Sequence, residues 1–173
     1  SAPLQPELRA TDAYNARDPL VAWLRSFGIT TVNTGHAPGA LVSGQTMIVR
    51  TAGRSVEADL INPAAMIAVS LGGSAVNRAE GPSGGAAKSP GTRAKAVAML
   101  RAELIKAQEY ARKRELKDET KRPARDLKLE ALARGLDGSQ RFLITAHRQQ
   151  DILAALRLAR EFNLSLIHIS EPT

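Results

Sequence analysis

The chain has 173 residues, a formal net charge of +7 and 43% hydrophobic residues, of which few are aromatic. That length supports one domain with a sizeable aliphatic core. With no cysteine, disulfides, thiolate metal sites and cysteine nucleophiles are excluded, and no apolar run approaches the roughly 20 residues of a membrane span.

Residues 1–17 are polar, carry prolines at positions 3 and 6, and read as irregular. Asp18 then caps a helix with Pro19 at its first position, Leu20, Val21, Leu24 and Phe27 on its apolar face, and Gly28 as its stop. Ile29–Val32 is a short β-branched strand whose end runs into the loop Asn33–Gly39, which holds His36. Met47–Arg50 and Ser55–Leu60 read as short strands around a turn at Ala52–Gly53, and Ala65–Leu71 as a buried strand. Gly72–Gly91 is a long Gly/Ser/Pro-rich loop. It lacks both the Gly-Lys-Ser/Thr ending of a phosphate-binding loop and a dinucleotide fingerprint.

Thr92 opens the longest predicted helix, which runs to about Leu116 with Val97, Leu100, Leu104, Ala107 and Ala111 along one face. A second helix spans about 125–136, with Leu127, Leu129, Leu132 and Ala133 inside and Gly135 and Gly138 closing it. Between the two, Arg112–Lys128 concentrates the positive charge. Acidic residues interleave there and no aromatic side chain is present to stack a base, a pattern of solvated helix ends that argues against nucleic-acid binding.

The most informative stretch is 141–162. An apolar run, Phe142–Thr145, leads at once into Ala146-His147-Arg148 and then a helix with Ile152, Leu153, Leu156, Ala159 and Phe162 as its apolar residues. This reads as a strand, a histidine at its C-terminal end, and a helix. The C-terminal ends of parallel strands are where α/β proteins place their chemistry, and a histidine there binds a metal or moves a proton. The plainer alternative is a polar residue that caps the strand and hydrogen-bonds the next turn. Strands alternating with helices across long connections define an α/β fold.

The last ten residues, Leu164–Thr173, read LSLIHISEPT. They resemble the translation of a transposon-end adapter used in preparing DNA libraries, one frame of which encodes all ten in order. The expectation is that the native sequence stops near Asn163, that 164–173 is a non-native tail, and that His168 is not a ligand.

Three segments carry a family resemblance. The first combines Asn15-Ala-Arg-Asp-Pro19, Phe27-Gly-Ile-Thr-Thr-Val32 and Leu41-Val-Ser-Gly-Gln45. The second is Ser89-Pro-Gly-Thr-Arg93 leading to Glu103-Leu-Ile-Lys-Ala-Gln-Glu-Tyr110. The third is Arg125-Asp-Leu-Lys-Leu-Glu-Ala-Leu132 followed by Ala146-His-Arg148 and Asp151-Ile152. In their order and spacing across roughly 15–162 they resemble the metal-dependent amidohydrolases, imidazolonepropionase-like members in particular.

That resemblance implies a partial (β/α)₈ barrel over residues 1–163, lacking N-terminal and C-terminal barrel elements; complete barrels run to about 250 residues. It implies hydrolysis of a carbon–nitrogen bond in a small-molecule amide or cyclic amide. A divalent metal, commonly zinc, would activate the attacking water. His147 matches the family's metal-binding histidine at the end of a middle barrel strand. Arg148 and Asp151 are candidates to orient it or the substrate, with a salt bridge at the helix start as the plainer reading. Arg148 and His36 are the candidate substrate-binding residues, although relatives tend to carry small residues or proline at the position of His36. The family's His-x-His pair is absent and is expected upstream of Ser1, with a further histidine and a late Asp expected downstream. One histidine does not make a catalytic metal site, so the chain alone is expected to be inactive. The alternative is a small basic α/β module that binds nucleic acid or another anion without catalysis. Membrane association is not expected, and oligomeric state and compartment are left open.

Overall fold

A computed structural model describes residues 3–37, 39–73 and 90–169. Five strands form one sheet in the order β1-β2-β3-β4-β5: Thr31–Thr34, Val42–Arg50, Leu60–Ser70, Arg141–Thr145 and Leu166–Ile169. The helices are α1 (Pro19–Ser26), α2 (Val56–Asp59), α3 (Arg93–Arg114), α4 (Leu127–Leu136) and α5 (Gln149–Phe162). The sheet is mixed. β1, β2 and β3 are antiparallel neighbours, whereas β3, β4 and β5 run parallel. Parallel neighbours need crossovers; α3 and α4 connect β3 to β4, and α5 connects β4 to β5. The β/α repeat expected of a barrel is therefore carried by β3 onward, and an antiparallel meander precedes it.

Local chemistry sets the helix starts. The Asp18 carboxylate accepts the Leu20 N–H with Pro19 behind it, and the Thr92 hydroxyl accepts the Lys95 N–H at the start of α3. Gly28, at φ +80°, ends α1 as its sequence position implied. The segment read as a strand over Ser55–Leu60 is instead the single turn α2. There the Ser55 hydroxyl caps the Ala58 N–H, and the buried Asp59 carboxylate takes both the backbone N–H and the guanidinium of Arg54. These local bonds close a turn that β-propensity alone does not foresee.

One face of the sheet packs on the long helices. Ile67 and Val69 of β3 and Phe142 and Ile144 of β4 meet Leu100 and Leu104 of α3, Leu132 of α4 and Leu158 of α5. Each such side chain contributes about 1.5–3 kcal/mol when fully buried. A smaller cluster of Ala10, Met47 and Val49 lies at the other end of β2.

Several apolar faces differ from expectation. In α1 only Val21 is buried; Leu20 and Phe27 are exposed, and Arg25 donates to the carbonyls of Thr51 and Ala52 just beyond β2. In α4, Leu127 is exposed and the buried positions are Ala131, Leu132 and Gly135. Gly135 is thus a packing residue inside the helix, while Gly138, at φ +81°, makes the turn that follows. Among the described residues no helix is long and apolar enough to cross a membrane.

Candidate active-site face

Side chains alternate across a strand. With Ile67, Val69, Phe142 and Ile144 turned to the helices, Ala68 and Ser70 of β3 and Leu143 and Thr145 of β4 take the opposite face. The register pairs Ala68 with Leu143 and Ser70 with Thr145. His147, two residues beyond Thr145, continues that face past the C-terminal end of β4. Its exposed ring lies over Gly72, just beyond β3: a Cβ there would come within 3.3 Å of the imidazole Cδ2. The missing side chain at Gly72 is what lets the ring lie down over the strand end.

His36 reaches the same face from the β1–β2 loop. Two glycines make room for it. Gly44, at φ +130° beside a register shift in β2, has its Cα directly against the His36 ring, and any Cβ there would collide with it. A Cβ at Gly35 would come within 2.9 Å of the methyl group of Thr46. A pocket of about 150 Å³ opens between His36, Thr46, Ser70 and Thr145. Of its lining residues, His36 has its Nε2 and Thr46 its hydroxyl buried without a hydrogen-bond partner.

Arg148 is exposed at the N-cap of α5 and makes no side-chain cap. The salt bridge expected at this helix start joins different residues: the buried Asp151 carboxylate is 3.0 Å from Nε of Arg93, the first residue of α3. This ion pair ties two helix starts together beside the candidate face. Reading the sequence missed Arg93 as the partner, although the Ser-Pro-Gly-Thr-Arg93 motif had already drawn attention to it.

Among the described residues, no three His, Asp, Glu or Cys side chains stand close enough together to hold a metal ion. The donors present therefore do not fit a catalytic metal by themselves. The face offers one imidazole over a strand end, a second imidazole in a pocket, and a ring of hydroxyls. Larger clefts lie elsewhere. One of about 510 Å³ between α3 and α5 holds Arg93, Asp151, Arg101 and Glu161, whose acids are already paired with its arginines.

Part of the basic stretch is paired, in two cases with acids inside it and otherwise with Glu130 and Glu103 beyond it. Lys121 pairs with Asp118, Arg122 with Glu119, and Arg125 with Glu130. Lys106 and Lys128 share Glu103; burial pushes that carboxyl up, and the two ammonium groups outweigh it and hold it below the ordinary carboxylate range.

No family model matches the chain, and no curated protein matches it. Among solved structures, it superposes on the crystal structure of an amidohydrolase from Thermotoga maritima MSB8 with a TM-score of 0.84 at 26% identity. The fold is amidohydrolase-like. The superposition takes in 97% of this chain and 43% of the Thermotoga protein, so the chain spans less than half the length of that neighbour. The likeness includes the antiparallel meander as well as the β/α units, since nearly the whole chain is matched.

The expected mobile loop at 72–91 falls, from residue 74 to 89, outside the described residues, as does the end of the 164–173 tail. Leu166–Ile169 pairs with β4 through its backbone. An apolar tetrapeptide of any origin forms such bonds, so the pairing leaves the source of those residues open.

Proposed function

We propose that this chain is part of a metal-dependent hydrolase of carbon–nitrogen bonds, imidazolonepropionase-like, whose substrate is a small amide or cyclic amide. The observation that carries this reading is the position of His147, over the C-terminal end of a parallel strand in an amidohydrolase-like fold. His147 is then one ligand of a divalent metal, with zinc the expected ion, and the remaining ligands come from sequence outside 1–163. On this reading Leu164–Thr173 is adapter-derived, and the chain by itself does not turn over.

The residues of the chain have roles that do not depend on the metal. Gly72 leaves space for the imidazole of His147, and the packed β3–β4 pair fixes its backbone. On this reading Arg148, exposed at the start of α5, would meet an anionic or carbonyl group of a bound substrate. His36 lines the pocket beneath.

The test is His147→Ala in the complete gene product. The expected outcome is loss of bound zinc measured by elemental analysis, with hydrolysis of a cyclic-amide panel down by at least about 100-fold, and an unchanged circular dichroism spectrum. Full metal content in this variant would overturn the assignment.

A further inference from the structure

We propose that Arg93 is a positioning residue for His147. Acting through the Asp151 carboxylate and the backbone of the β4–α5 turn, it sets where the imidazole stands over the strand end. Its use in a reaction rests on the reading of His147 as a metal ligand; the positioning follows from how the turn is held.

His147 lies between Thr145, the last residue of β4, and Gln149, the first of α5. On the strand side the turn is secured locally. The Leu71 N–H donates to the Thr145 carbonyl at 3.0 Å, and the Ala146 side chain is buried in the core. On the helix side the usual local device is missing, because Arg148 at the N-cap makes no side-chain cap. The first turn is tied to another helix instead: Oδ1 of Asp151 is 3.0 Å from Nε of Arg93. Arg93 opens α3, whose start is capped by the Thr92 hydroxyl and whose Ala96 and Leu100 lie in the core. The position of the turn is thus referred to α3 across one ion pair.

Burial gives that pair its grip. Asp151 is only 3% exposed, and a carboxylate held out of water needs its cation. Without the guanidinium, hydrating the acid requires the first turn of α5 to move outward, and His147 is one helical turn away along the chain. Misplacement of a catalytic group by about 1 Å is enough to matter. A second ion pair, Arg101 with Glu161 at 2.8 Å, joins the same two helices roughly two to three turns further from the histidine. It has the same chemistry on the same helix pair, so it separates positioning of His147 from simple adhesion of α3 to α5.

The experiment is NMR of the full chain without added metal, comparing the parent with Arg93→Ala and Arg101→Ala. One α-hydrogen of Gly72 points where a Cβ would stand, 3.3 Å from Cδ2 of His147. Its cross-peak with the imidazole Hδ2 therefore reports the place of the ring. The expected result for Arg93→Ala is a cross-peak reduced by more than half and shifted His147 imidazole resonances, with the Leu100 and Leu104 methyl resonances of the core unchanged. Arg101→Ala should keep the parent cross-peak. If Arg93→Ala does not fold, Arg93→Gln, which keeps most of the stem, takes its place with the same expectation. An unchanged cross-peak without the arginine, an equal loss in Arg101→Ala, or a loss accompanied by shifts throughout the core contradicts the proposal. No metal enters this measurement, so zinc retained by His147→Ala would remove the metal reading and leave the positioning result standing.

Discussion

Gly135 shows how much one missing methyl group does in this chain. It sits inside α4 with the Phe142 ring pressed against its Cα and Ile67 close by, and Phe142 is only 1% exposed. Alanine is the better helix former, by up to about 1 kcal/mol. Here the added carbon drives into a fully buried ring, and overpacking of that kind costs typically 1–3 kcal/mol. Gly135→Ala is therefore expected to lower stability in urea unfolding, despite its gain in propensity. Asp59 gives the pH counterpart. The backbone N–H of Arg54 holds its carboxyl below the ordinary range; burial opposes this, and the Arg54 guanidinium adds to the lowering. A depressed carboxylate stabilises the fold fully above its unfolded value of about 3.9 and loses that contribution as pH falls through the folded value. Asp59→Asn should thus be less stable than the parent at neutral pH, with the difference shrinking below about pH 4 in a thermal-melt series.

At the scale of elements, α5 is the instructive case. Of its apolar residues Ile152, Leu153, Leu156, Ala159 and Phe162, Phe162 is buried and Ile152 packs partly buried against the core, whereas Leu153 and Leu156 are 44% and 39% exposed and the other buried positions are Asp151, Ala155 and Leu158. Asp151, Ala155, Leu158 and Phe162 share one face by the helical period, and in its first turn the Arg93 ion pair partners the buried Asp151. Removing the arginine leaves a buried carboxylate unpaired. Arg93→Ala should lower stability by roughly 1–3 kcal/mol, less than a fully buried pair because Arg93 is itself partly exposed, and calorimetry of the variant checks this. What was legible in the sequence was local. The Asp18 and Thr92 caps, the Gly28 stop, the three main helices and the strand before His147 all rest on neighbours within a few residues. What was not legible rests on distant partners or on competing local bonds: the turn at 56–59 closed by Asp59, Arg93 as the partner of Asp151, and the pocket lined by His36 and Thr46. The histidine was readable as a loop residue beside a strand end, but its approach to Ser70 and Thr145 needed the sheet order.

The whole molecule combines a mixed five-stranded sheet, a superposition covering under half of a larger amidohydrolase, and a histidine over a strand end, with no group of three metal-ligating side chains among the described residues. On the proposed reading these belong together: the chain carries one ligand, while the rest of the metal site is encoded beyond it. The exposed Leu153 and Leu156 on α5 are then surface that a neighbouring barrel helix covers. The measurement that tests this most directly is the genomic DNA sequence on both sides of the reading frame. The account predicts a His-x-His pair upstream of Ser1. Downstream it predicts a frame that departs from LSLIHISEPT after Asn163 and continues into a histidine-bearing strand and a late Asp. A natural gene that encodes LSLIHISEPT and stops, with no histidine pair upstream, would contradict it.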